Sequence, residues 1–214
     1  MFSVWAVMPI AREGWIFILA PLGLAAMLWA LGWQAAALAA LVLAIAVALF
    51  FRDPSREIPR GKGLILAPAD GAVVQVEPYP GDELGGAATQ LSIFLSVLDV
   101  HVNRAPFPAV VERVDYRAGD FRLAWQSEAS ASNEQNLIVL KAAEGRLAVK
   151  QIAGFLARRI VCKVAAGQTL EAGERIGMIR FGSRVDLIVP VSAEICVKPG
   201  DRVKGGISVM GKFR

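Results

Sequence analysis

The pattern of apolar and polar positions divides this chain into two regimes. From Gly14 to Phe51 no residue is charged. A helix that crosses a bilayer needs about 20 apolar residues, so this stretch is too long for one ordinary span and fits two short ones. Gly32-Trp33-Gln34 supplies a break, and Trp29 and Trp33 suit the membrane–water interface. Arg12 precedes the stretch, and Arg52, Arg56, Arg60 and Lys62 follow it. Basic residues stay on the cytoplasmic side, so residues 1–51 are expected to form a helical hairpin in the membrane with both ends cytoplasmic. The alternative is one long tilted helix that sends the rest of the chain outward. A cleaved signal peptide fits poorly, because its apolar core is only about 7–15 residues long.

Beyond Phe51 the pattern changes. Residues 52–63 read as a basic linker, since Pro54, Pro59, Gly61 and Gly63 rule out a continuing helix. From residue 64 to 214 the apolar runs are short and rich in Val, Ile and Phe: Ala72–Val76, Leu91–Val97, Val110–Tyr116, Leu137–Leu140, Ile160–Val164 and Leu187–Val191. Gly, Pro or Asp clusters separate many of them, which predicts strands and turns. Helical periodicity is scarce here, with a turn or two expected within Ala118–Ala129. The fold class is therefore mainly β (α+β): an N-terminal membrane helical hairpin followed by one antiparallel β domain.

A weak repeat lies near the C-terminus. Val164-Ala-Ala-Gly167-Gln-Thr-Leu170-Glu-Ala-Gly173 and Val197-Lys-Pro-Gly200-Asp-Arg-Val203-Lys-Gly-Gly206 share V-x-x-G-x-x-[LV]-x-x-G. Paired glycine hairpins of this kind resemble those of lipoyl- and biotinyl-carrier domains and their barrel-sandwich relatives. Lys198 and Lys204 are not in the sequence context of a modified carrier lysine. The repeat thus describes architecture.

Composition narrows the chemistry. Hydrophobic residues make up 55% of the 214 positions, and the net charge is only +4. The basic cluster beside the apolar stretch suits an anionic membrane surface better than nucleic acid; a purely topological role for these arginines stays open. Cys162 and Cys196 form no CxxC and His101 is the single histidine, so a zinc site, which draws on several such ligands, is not expected. Two cysteines make no disulfide framework and suit a reducing compartment.

Three segments hold candidates for catalysis. Asp70 sits in Ala67-Pro68-Ala69-Asp70-Gly71, a turn entering a strand. His101 lies in Asp99-Val-His-Val-Asn-Arg104, after a strong strand. The third is Gly182-Ser183, inside apolar sequence, where glycine weakens a strand and marks a bulge or strain. If the Ser183 hydroxyl attacks the Gly182 carbonyl, the peptide becomes an ester, and elimination across it breaks the chain and leaves a ketone on the new N-terminus. A serine activated by a histidine that an acid orients is the general scheme. Asp70, His101 and Ser183 are residues that could make such a set if the fold brings them together, with Asp99 and Asp186 as competing acids.

Five segments in order, Arg52-Asp-Pro-Ser-Arg-Glu-Ile-Pro59, Ala67–Gly71, Asp99–Arg104, Gln151-Ile-Ala-Gly-Phe-Leu-Ala-Arg-Arg-Ile-Val161 and Phe181-Gly-Ser-Arg184, resemble the short-form phosphatidylserine decarboxylases. The resemblance runs from about Arg52 to the C-terminus. It implies a proenzyme that cleaves itself between Gly182 and Ser183, turning Ser183 into a covalent pyruvoyl (pyruvate) cofactor. That ketone forms a Schiff base with phosphatidylserine, loses CO2 and releases phosphatidylethanolamine. Asp70 matches the family's triad acid, Ser183 its nucleophile, and His101 the first histidine of the longer forms' D-Y-H-x-x-H segment. Arg104 stands where that segment's second histidine falls, and Gln135 replaces an arginine of the family's N-E-R. The partners implied are a phospholipid, the membrane and the two cleaved chains held together, with a homo-oligomer and an inner-membrane location consistent with the family. A membrane-tethered serine hydrolase using Ser183 and His101, and a non-enzymatic barrel-sandwich adaptor, are the competing readings.

Overall fold

The computed structural model describes residues 10–119, 133–154, 159–180 and 183–213. The chain divides into two compact units between Ser55 and Arg56. In the first, a 3-10 turn at Arg12–Gly14 leads into α1 (Trp15–Ala30), and α2 (Gln34–Phe50) follows after a short reversal. Gly32 makes that reversal at φ +79°, a left-handed conformation open to glycine. At the base, the Ala11 N–H donates to the Phe51 carbonyl at 2.7 Å, so the two ends of the hairpin meet.

The helix pair buries small residues, Ala25, Ala37, Ala40 and Ala44, whereas Ile16, Leu19, Trp29, Trp33, Leu38 and Val42 are more than half exposed. Water-soluble helices show the reverse distribution. Arg12–Ala30, 19 residues, is long and apolar enough to cross a membrane, and α2 is shorter at 17 residues.

The second unit is built from short strands: β1 (Leu64–Leu66), β2 (Gly71–Tyr79), β3 (Ala88–Leu95), β4 (Val102–Arg104), β5 (Ala109–Arg117), β6 (Gln135–Lys141) and β7 (Arg146–Ile152). There follow β8 (Ile160–Cys162), β9 (Thr169–Leu170), β10 (Arg175–Ile179), β11 (Ser183–Pro190), β12 (Glu194–Ile195), β13 (Arg202–Val203) and β14 (Val209–Lys212). They form an eight-stranded sheet in the order β13-β2-β3-β11-β7-β6-β5-β9 and two three-stranded sheets, β1-β14-β12 and β4-β10-β8. The pairings within these sheets are antiparallel. The expected antiparallel β domain is what the chain adopts. The helical turn expected within Ala118–Ala129 falls largely on residues 120–132, outside the described residues.

Alternation along the strands sorts the large sheet into two faces. Leu91, Ile93 and Leu95 of β3 and Val185, Leu187 and Val189 of β11 enter the main core with Ile138, Leu147 and Val149. Each such fully buried side chain contributes about 1.5–3 kcal/mol. The intervening positions, among them Gln90, Ser92, Lys150, Arg184 and Asp186, carry polar side chains on the other face.

The C-terminal repeat explains the edges. Its two copies supply β9 and β13, the two outermost strands of the large sheet. All four repeat glycines, Gly167, Gly173, Gly200 and Gly206, have positive φ. The second glycines meet: a Cβ on Gly206 would lie 3.5 Å from the Gly173 Cα, and a Cβ on Gly173 would overlap Ile58. Glycine is required there by close approach as well as by backbone conformation.

Candidate active site

Antiparallel pairing brings several chain segments to one end of the large sheet. β2, β11 and β6 begin there, and β3 and β7 end there: Ser183 is opposite Leu95, Arg184 lies between Phe94 and Ile152, and Gln135 is opposite Ile152. Asp70 immediately precedes β2, Ser183 opens β11, and Asp99 and His101 follow β3. Adjacent strands lie about 4.8 Å apart, so β2 and β11, two strands apart, are separated by about 10 Å.

Ser183 is fully buried, and its hydroxyl has no hydrogen-bond partner among the described residues. An unpaired buried hydroxyl destabilises a fold by about 1–3 kcal/mol, so packing alone gives no reason for a serine here. Gly182 lies outside the described residues. The strand begins at Ser183 itself, four residues earlier than the apolar run Leu187–Val191.

His101 is also fully buried, directly before β4. Its carbonyl accepts a hydrogen bond from the Ile179 N–H at 3.4 Å, which ties it to the end of the strand preceding Ser183. Its Nδ1 lies 2.9 Å from the Asp99 carbonyl oxygen. A carbonyl only accepts, so in the neutral ring Nδ1 carries the proton and Nε2 the lone pair. The Asp99 carbonyl thus fixes the tautomer in which Nε2 carries the lone pair.

Asp70 is held by two partners. Arg56 Nη2 lies 2.9 and 3.1 Å from its carboxylate oxygens, and the Gly205 N–H donates to Oδ1 at 2.8 Å. The competing acids are committed elsewhere. Asp99 accepts from the Ser96 N–H at 2.9 Å, the Ser96 hydroxyl at 2.7 Å and Arg202 Nη2 at 2.6 Å, which makes it the acceptor of a turn. Asp186 is on the opposite sheet face from Ser183, 2.6 Å from Arg184 Nε. Burial pushes its carboxyl up, against the lowering effect of Arg184. Arg104 buttresses the site: its N–H donates to the Pro68 carbonyl at 2.8 Å and Nη1 to the Gly173 carbonyl at 3.0 Å.

A family model described as phosphatidylserine decarboxylase matches residues 43–211. The chain belongs to that family. Among its relatives, phosphatidylserine decarboxylase proenzymes, the one from Symbiobacterium thermophilum is 44% identical over 206 residues, covering 95% of both chains. The one from Saccharopolyspora erythraea is 46% identical over 186 residues, covering 85% of this chain and 79% of its own. That of Wolbachia pipientis wMel is 40% identical over 210 residues, covering 95% and 91%.

Sequence reasoning gave no role to several side chains around the Ser183 centre. Arg56 read only as part of a basic linker, yet it is the ion-pair partner of Asp70; the signal was its place in the Arg52–Pro59 segment. A buried amide chain was missed altogether. Asn136 Nδ2 donates to Gln151 Oε1 at 3.0 Å, and Gln151 Nε2 donates to Asn103 Oδ1 at 2.7 Å. Arg184, beside the serine, is clamped by Asp186 and by the Ser92 hydroxyl at 2.7 Å.

Proposed function

We propose that this chain is a membrane-associated proenzyme that cuts itself between Gly182 and Ser183 and then decarboxylates phosphatidylserine to phosphatidylethanolamine. The observation that carries the reading is the buried, unpartnered hydroxyl of Ser183 at the start of a central strand, in a chain of this family.

Self-cleavage needs a nucleophile, a base and a held acid. Ser183 Oγ attacks the Gly182 carbonyl carbon as its proton passes to a base, for which His101 Nε2 has the lone pair. The C–N bond gives way to an ester and the amine is freed. Removal of the Ser183 α-proton expels Gly182 as a carboxylate, and the resulting enamine, after tautomerising, takes up water and loses ammonia. The arrangement fits the pyruvoyl group this would leave at position 183, because a ketone brings no donor and the hydroxyl it replaces has no partner to lose. When present, that group supplies an electron sink for loss of CO2 from an amino acid bound through its amine. Asp70, fixed by Arg56 and the Gly205 N–H, anchors the turn on which the acid side of the site is built.

Pairing accounts for retention of the cut piece. β11 pairs with β3 over eight residues and with β7 over five, β13 pairs with β2, and β14 with β1. Residues 183–214 are therefore woven into strands of the other fragment. The apolar N-terminal unit would hold the enzyme at the bilayer that contains its lipid, with the positive-inside rule placing the catalytic unit at the cytoplasmic face of the inner membrane.

The test is Ser183→Ala. The variant is expected to run as one uncut chain and to release no CO2 from phosphatidylserine in detergent micelles. Decarboxylation by this variant would end the proposal.

A further inference from the structure

The amide chain on the inner face of the large sheet ends in an unused donor. Asn136 gives its N–H to Gln151, and Gln151 gives its own to the Asn103 oxygen. Asn103 Nδ2 is left without a hydrogen-bond partner, although Asn103 is fully buried. A buried donor of this kind calls for an acceptor that the described residues do not supply.

The location is the Ser183 centre. Gln151 is opposite Val185, so Ser183, two residues along, is its diagonal neighbour on the same face, about 7–8 Å between α-carbons. Asn103, bonded to Gln151, is on β4, paired with Gly177 of β10. Gly177 makes room for the chain: a Cβ there would come within 3.1 Å of Gln151 Nε2 and overlap the Val161 carbonyl. Arg104, the next residue, directs its guanidinium to the Gly173 carbonyl instead.

We infer that Asn103 is a substrate-binding residue whose amide nitrogen takes the carboxylate of the serine headgroup. The inference rests on the function proposed above. The donor demands an acceptor, which excludes the substrate amine, and the carboxylate shares its carbon with that amine, whereas the phosphate is further along the headgroup. A neutral amide also suits the reaction. The carboxylate's charge leaves it in the transition state, so a full cation would stabilise the ground state more and raise the barrier. Asn103 orients the group with a weaker hold, and Gln151 and Asn136 keep its amide from turning.

The experiment compares two headgroups on the full-length, self-cleaved protein. Phosphatidylserine is followed by CO2 release, and phosphatidylethanolamine, which has the amine and no carboxylate, by cyanoborohydride trapping on the 183–214 fragment, read by mass. Asn103→Ala is expected to raise the half-saturating concentration of phosphatidylserine about tenfold or more, the loss of one hydrogen bond to a charged group. Trapping of phosphatidylethanolamine should stay within about twofold of the unaltered protein by the same reasoning. Asn103→Asp keeps the shape and the bond from Gln151 and puts an acceptor in place of the donor. It should weaken phosphatidylserine more than alanine does and again spare phosphatidylethanolamine. Equal losses for both headgroups, or no loss for either, would overturn the assignment. If both variants remain uncut, the donor serves self-cleavage and the assignment is also wrong. If the unaltered protein traps no lipid on this fragment, the underlying functional reading fails first.

Discussion

Removing Arg184 probes the polar face behind Ser183. Arg184 and Asp186 are 2% and 0% exposed and 2.6 Å apart, and Ser92 takes the other end of the guanidinium. Arg184→Met would leave a buried carboxylate facing Lys150, its cross-strand neighbour on β7, and the Ser92 hydroxyl on β3. Breaking a buried pair from one side costs about 3–5 kcal/mol. Lys150 also lowers the Asp186 carboxyl, so the low end, about 3 kcal/mol, is the working value. For a chain of this size that is a fall of about 6–12 °C in Tm. The assay is thermal unfolding in detergent, in a Ser183→Ala background that keeps the chain in one piece. Burial already holds the Asp186 carboxyl above its ordinary value, and losing Arg184 raises it further. The native state then binds a proton that the unfolded state does not, so stability falls as pH rises and recovers as pH drops through the raised value. Arg184→Met with Asp186→Leu should regain most of the loss, because no buried charge is left. A single variant with unchanged Tm and no pH dependence, or a double variant no better than the single, would refute the reasoning.

Other consequences are as specific. Arg56→Met should slow self-cleavage about tenfold or more by leaving the Asp70 carboxylate held only by the Gly205 N–H among the described residues, consistent with loss of one charged hydrogen-bond partner, and a time course of uncut chain on a denaturing gel would show it; an unchanged rate would remove Arg56 from the site. Gly206→Ala should lower Tm more than Gly167→Ala: both have positive φ, but a Cβ at 206 meets Arg104 Cδ at 3.0 Å whereas at 167 it meets nothing within 4 Å. The backbone penalty common to both is about 1–2 kcal/mol, and equal unfolding midpoints would contradict the packing account. Size-exclusion chromatography of the cut protein should keep residues 183–214 with the larger piece until denaturant is added, given the pairing of β11, β13 and β14.

How much of this was legible beforehand depended on whether a strand's two faces were distinguishable. β3 and β11 were legible from Leu91–Val97 and Leu187–Val191, where Phe94 and Ile188 make the outer face apolar as well. β7 was not read as a strand, because Lys150 and Gln151 interrupt Leu147–Ile152; one faces outward toward Asp186 and the other inward toward Asn103. The repeat glycines read correctly as turns, but nothing local says that Gly173 and Gly206 touch across the fold. Ser183, His101 and Asp70 stood out by residue type and motif. Asn103, Gln151 and Asn136 did not: an amide carries no chemical label, and their chain of hydrogen bonds ties β4 to the β6–β7 pair across 48 residues. Telling Asp99 and Asp186 from Asp70 likewise required partners, Arg202 and Ser96 for one and Arg184 for the other.

The most direct measurement of the central claim is the intact mass of the purified protein with no substrate added. The account predicts two species, one ending at Gly182 and one covering residues 183–214, the latter lighter by one ammonia than a peptide starting with serine. A single full-length mass, or a 183–214 fragment that retains its serine, would contradict it.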